Sequence, residues 1–226
     1  MPHCRPLTLV AIPLALLALT PAAGATEEGF YIAIGVGGAV ASGDRGVPLR
    51  PGGVTVTAPV GSPTYDEVIR TDFGGGMALE LRFGYLVGGL IAPEISLGGH
   101  GSLDAEAGAA YPSFVLRYHP AQHAIDFSER RWDVNVYAGV GYAIGGYHPD
   151  PAIDPDGKGW EGLAILTGVG LSWQVDDAVS LGVDVRFALP QYSSFIFNWD
   201  RDLRAKPDGT PSTLVVMPTA QVIFHL

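Results

Sequence analysis

The feature that most constrains this chain is an alternation with a period of two, clearest over its last 14 residues. From Leu214 one face reads Leu214, Val216, Pro218, Ala220, Val222, Phe224, Leu226, and the other Val215, Met217, Thr219, Gln221, Ile223, His225. Successive side chains leave a strand on opposite sides, so this run predicts a strand with one continuous apolar face. The pattern recurs. Met77, Leu79, Leu81, Phe83 and Tyr85 alternate with Ala78, Glu80, Arg82 and Gly84, and Val179 to Leu189 alternates against Ser180, Gly182, Asp184, Arg186 and Ala188. Beyond the N-terminal segment no run of about 18 apolar residues occurs, so a membrane-spanning helix is not expected.

Composition narrows the class. Charged residues make up only 16% of the chain, against roughly 25% in soluble domains, and glycine reaches 31 residues. Few charges, much glycine and no long apolar run together suit membrane strands, in which only alternate residues face lipid. The net charge of −10 argues against nucleic acid, which requires a basic surface. Arg5, the apolar stretch Leu7 to Leu19 and Ala23-Gly24-Ala25 read as a secretory leader with its cleavage site. Cys4, the only cysteine, precedes the apolar stretch, whereas a lipid-anchoring cysteine would follow it. The expected organisation is a leader over 1–25 and one domain over 26–226, free of thiol chemistry.

Eight alternating segments are predicted near 29–42, 73–85, 90–101, 110–119, 132–146, 160–175, 179–190 and 213–226. Links at Val87-Gly88-Gly89, Pro120 to Arg131 and Asp176-Asp177 are short or middling; those near 43–72, 102–109, 147–159 and 191–212 are mostly longer. Alternating short and long links fit an even-stranded barrel with both ends on the short-turn side. Aromatic residues fall into two bands, as expected for rings at membrane–water boundaries. One holds Phe30, Phe83, Tyr85, Tyr118, Trp132, Trp173 and Phe224; the other holds Phe73, Tyr111, Tyr142, Trp160, Phe187 and Tyr192. Pro112 and Pro190 suit strand ends, while Pro93 and Pro218 demand bulges or shifted boundaries, because proline removes a ladder donor.

The final strand ending in Phe224 and Leu226, the leader and the strand count resemble the small OmpA-like and opacity-type outer-membrane barrels. The family's usual last residue is aromatic; here it is Leu226. The resemblance implies a closed, all-β, eight-stranded antiparallel transmembrane barrel without a peptidoglycan-binding domain. It also implies a non-enzymatic structural or surface-interaction role through four outer loops. Implied partners are outer-membrane lipids including lipopolysaccharide, the barrel-assembly machinery and an extracellular ligand, with no cofactor. A narrow channel or small-ligand carrier is the alternative role.

Parity assigns Glu80, Arg82, Glu94, Arg117, Asp133, Asp184 and Arg186 to the interior, three positive charges against four negative. Buried charges must be paired, so they read as a salt-bridge plug, with Asn135, Gln221 and His225 nearby. Small inward positions (Gly35, Gly37, Ala39, Gly74, Gly76, Gly98, Gly139, Gly141, Ala143, Gly168, Gly170) predict a cup above this floor, opening outward; otherwise glycine eases curvature or a loop fills the space. The Gly-Val-Gly strings at 35–37, 139–141 and 168–170 precede no helical pattern, so they are not nucleotide loops.

Catalytic and metal signals are weak. His100, Ser102 and Glu106 resemble the His-x-Ser plus acid set of outer-membrane lipid A deacylases, but His100 is predicted to face the interior. Asp150, Asp154 and Asp156 lack the spacing of an EF-hand and read as a solvated acidic loop. Aromatics beside charges at Tyr65-Asp66-Glu67 and Trp199-Asp200-Arg201 are candidate contact points in the loops. A soluble lipocalin-like barrel would reverse the faces, placing the apolar residues inside.

Overall fold

The computed structural model describes residues 28–43, 49–50, 75–102, 107–120, 132–147, 158–198, 203–207 and 210–226. The leader, Phe73, Gly74, Glu106, the Asp150–Asp156 loop and the two loop aromatic clusters fall outside them, as does the link from Ala121 to Arg131. The described residues form strands and turns and no helix. The strands are β1 (Gly29–Gly43), β2 (Leu49–Arg50), β3 (Gly76–Leu86), β4 (Ile91–Ser102), β5 (Ala107–Tyr118), β6 (Trp132–Tyr147), β7 (Lys158–Gln174), β8 (Val179–Asn198), β9 (Leu203–Pro207) and β10 (Thr213–His225).

Every neighbouring pair is antiparallel, and β10 pairs with both β1 and β8. That double pairing closes an eight-stranded barrel of β1, β3, β4, β5, β6, β7, β8 and β10 and leaves none of these eight as an open edge. The tight β3–β4 turn rests on Gly88 and Gly89, at φ 56° and 65°. The Leu90 N–H bonds to the Val87 carbonyl at 3.1 Å across them. Two successive left-handed residues make the hairpin turn whose twist matches its strands. At the β7–β8 turn, Asp176 accepts the N–H groups of Ala178 and Val179 at 2.9 and 2.8 Å.

The apolar face of each strand points outward. Leu79, Ile95, Phe114, Val140, Leu163 and Val183 are each more than half exposed. Charged and hydroxylic residues of the opposite face are buried inside. This inside-out arrangement is that of a transmembrane barrel and removes the lipocalin-like alternative. Phe30, Phe83, Trp132, Trp173 and Phe224 are exposed at the turn end. Trp132 and Trp173 face each other across β6–β7 with centroids 6.2 Å apart, and Phe30 meets Tyr85 edge-on at 4.7 Å.

Three expectations need correction. The outer aromatic band is only partly present among the described residues: Tyr111, Trp160 and Tyr192 are fully buried in the lumen, while Tyr142 and Phe187 lie on the outward face. Pro93 and Pro218 need no bulges. Val40↔Val216 and Gly37↔Thr219 keep one register across Pro218, so the proline costs a local ladder contact only. Pro93 stays in register with Leu116. The irregularity lies instead in β7–β8 between Glu161 and Gly162. Finally, β8 runs to Asn198, eight residues past its predicted end, and pairs with β9, which pairs with β2. The wall is therefore taller on this side, and part of the fourth loop is sheet.

Candidate functional site

The lumen holds two stacked layers. The layer nearer the turn end is ionic. Asp184 on β8 is its node: its Oδ2 accepts from Arg82 Nη1 at 3.3 Å and Arg117 Nη1 at 3.1 Å, and its Oδ1 from the Tyr137 hydroxyl at 2.5 Å. Arg117 also grips Glu94 with two parallel bonds, Nε to Oε1 at 2.8 Å and Nη2 to Oε2 at 3.2 Å. Bidentate guanidinium–carboxylate pairing fixes geometry as well as charge. Arg186 donates to Glu80 and, at 2.9 Å, to Ser96 Oγ, and Arg82 Nε lies 3.6 Å from Glu80. Tyr31 donates to Glu94, Arg82 to Gln221, and Arg117 to Asn135. The Tyr137 ring lies 4.2 Å from the Arg117 guanidinium and 5.7 Å from that of Arg186, so its π face shares both cations.

Six of the seven residues assigned to the interior by parity are brought into this layer: Glu80, Arg82, Glu94, Arg117, Asp184 and Arg186. All six are buried, three cations against three anions. Asp133 stands apart from that balance. It accepts from Asn135 Nδ2 at 3.2 Å and pairs with His119 Nδ1 at 2.9 Å. The layer also includes His119, Tyr31, Ser96 and Tyr137, which no charge pattern in the sequence marks. Each shares the parity of an inward residue: His119 with Arg117, Ser96 with Glu94, Tyr137 with Asn135, Tyr31 with Gly35.

The second layer overturns the outward cup. Trp160 packs edge-on to Phe195 at 4.8 Å and tilted on Tyr192 at 5.8 Å. Leu166, Val215 and Met217 belong to the same buried cluster. His100 lies in the lumen as expected, stacked on Tyr111 with centroids 5.9 Å apart and Nδ1 3.4 Å from its hydroxyl. The small inward residues are counterparts of the large ones. The lumen's cross-section is set by strand number, so a ring reaching across from β7 or β8 requires small residues on the facing wall. Ala39, Ala78 and Ala109 join the cluster in that way from β1, β3 and β5, and Ala143 from β6 beside β7.

The lumen glycines serve the ionic layer likewise. A Cβ on Gly98 would lie 2.6 Å from Arg186 Nη1, one on Gly168 2.3 Å from the Tyr137 hydroxyl, and one on Gly170 2.6 Å from Asn135 Oδ1. These three glycines flank the charges rather than a space above them. The Gly168-Val169-Gly170 string is thus a saddle for two side chains of β6. Among the described residues no group of three His, Cys, Asp or Glu is placed to hold a metal ion.

No family model matches the chain, and no curated protein does. Solved structures do. Neisserial surface protein A (NspA) superposes with a TM-score of 0.52 at 12% identity, covering 87% of this chain and 97% of that one. The fold is that of a small outer-membrane β-barrel. Two further barrels match less closely. The outer membrane protein OprG from Pseudomonas aeruginosa has a TM-score of 0.47 at 13% identity, covering 88% of this chain and 97% of its own. Ail, the attachment invasion locus protein of Yersinia pestis, has 0.44 at 12%, covering 88% and 100%.

Proposed function

We propose that this protein is a non-enzymatic, closed-lumen β-barrel of the bacterial outer membrane, acting through its loop-bearing end as a structural or surface-interaction protein. The observation that carries the reading is the two-layer lumen. A balanced ionic layer and an aromatic layer above it occupy the interior, so the barrel serves as a scaffold rather than a conduit. Rigid scaffolds place recognition in their loops, and the sheet formed by β8, β9 and β2 extends the wall toward that end. Lipopolysaccharide and other outer-membrane lipids would surround the apolar belt, and the barrel-assembly machinery would insert it.

The test has two parts. Mature protein extracted from outer membranes should migrate faster unheated than boiled in a cold detergent gel, and it should give no discrete conductance steps in a planar bilayer. Regular steps would replace the closed scaffold with a narrow channel. A single unshifted band from soluble material would remove the membrane reading altogether.

A further inference from the structure

The outer wall is grooved near the turn end. A cleft of about 420 Å³ runs over β1, β3, β4 and β5, walled mainly by Phe30, Ile32, Phe83, Ile95, Phe114 and Leu226. Its origin is local. The β3–β4 ladder runs as far as Gly84↔Glu94 and resumes only at the Val87↔Ile91 bridge. Between these lies Pro93, which has no N–H to offer β3. The ladder is open there, and the side chains around the gap line a furrow. Tyr31 and Glu94 lie beneath it, joined by their own hydrogen bond, so the floor is closed toward the lumen.

The furrow's surroundings select its occupant. It lies in the exposed apolar face of the barrel, where the neighbouring molecules are hydrocarbon chains. A folded protein partner would need a far larger contact area than one cleft provides. Beyond its turn end stands a negative charge. Glu28, exposed at the end of β1, accepts the Gly88 N–H at 3.2 Å, which holds its carboxylate beside the β3–β4 turn. Among the described residues the turn-end rim carries no Lys or Arg.

We propose that the groove seats one acyl chain of an ammonium-bearing phospholipid, of the ethanolamine class, with the ammonium group beside Glu28. The proposal rests on the membrane reading above, so the full chain is first shown to be heat-modifiable; failure at that step overturns both readings, whereas failure at the lipid step overturns this proposal alone. Native mass spectrometry of the folded protein in detergent then compares phosphatidylethanolamine with phosphatidylglycerol of identical chains. One retained phosphatidylethanolamine is expected, preferred about fivefold, the scale of a single exposed charge contact. Glu28→Gln should abolish the preference without altering the heat shift. Ile95→Trp, which fills the furrow from an outward position, should reduce retention of both lipids. A heat-modifiable barrel that holds the two lipids equally, or whose preference survives Glu28→Gln, would overturn the proposal. If Ile95→Trp does not fold, the Glu28→Gln comparison decides alone.

Discussion

At the scale of single residues, the lumen depends on a few exchanges between charge and space. Asp184 is the clearest. It accepts from two arginines and a tyrosine in a buried layer, so Asp184→Ala would strand two guanidinium groups with too few partners. Breaking a buried ion pair from one side costs about 3–5 kcal/mol. The urea midpoint of the refolded barrel in detergent should fall accordingly, and an unchanged midpoint would mean that water, not Asp184, satisfies Arg82 and Arg117. Gly168 tests space rather than charge. Its added Cβ would meet both the Tyr137 hydroxyl at 2.3 Å and the Val185 carbonyl oxygen at 2.5 Å. Part of that obstacle is backbone and cannot swing away, so Gly168→Ala should destabilise by about 1–3 kcal/mol, the range for overpacking. The same substitution at Gly38, whose Cβ would have 3.8 Å to its nearest neighbour, should leave the midpoint nearly unmoved.

At the scale of elements, β7 and β8 do most to close the interior. Both supply rings to the upper layer, and β8 also supplies Asp184 and Arg186 to the lower one. The two layers therefore act in series. Trp160→Ala should cost about 3–5 kcal/mol through the cavity it leaves, yet the barrel should remain silent in a planar bilayer because the ionic layer still blocks it. Conductance is expected only when Trp160→Ala is combined with Asp184→Ala. Conductance from Trp160→Ala alone would show that the ionic layer does not seal the lumen. Strand existence was legible from alternation in all eight barrel strands, and the β3–β4 turn from its paired glycines. The extension of β8 was not, because Gln191 to Asn198 breaks the period where the β7–β8 register shifts. A bulge inverts parity beyond itself, so a strict two-step reading ends there.

At the scale of the whole molecule, the decisive property is that the apolar surface lies outside. Val183 is more than half exposed on the lipid-facing wall of β8. Val183→Arg should cost about 2–4 kcal/mol in lipid vesicles if it lies near the midplane, whereas Asp177→Arg in the exposed turn should cost almost nothing. Equal tolerance at both positions, read from urea unfolding in vesicles, would contradict a bilayer around the belt. Alternation, scarce charge and the spacing of turns were enough to determine an eight-stranded barrel and to place seven charged residues on the inner face, because parity is a local property of the chain. Parity says nothing about reach. Whether a small inward residue borders a void or a neighbour's ring depends on what projects from strands far away in sequence, as Trp160 does toward the alanines opposite. Only the closed tertiary structure could decide that the predicted cup is filled, that His119 partners Asp133, and that the three arginines share three carboxylates across the lumen.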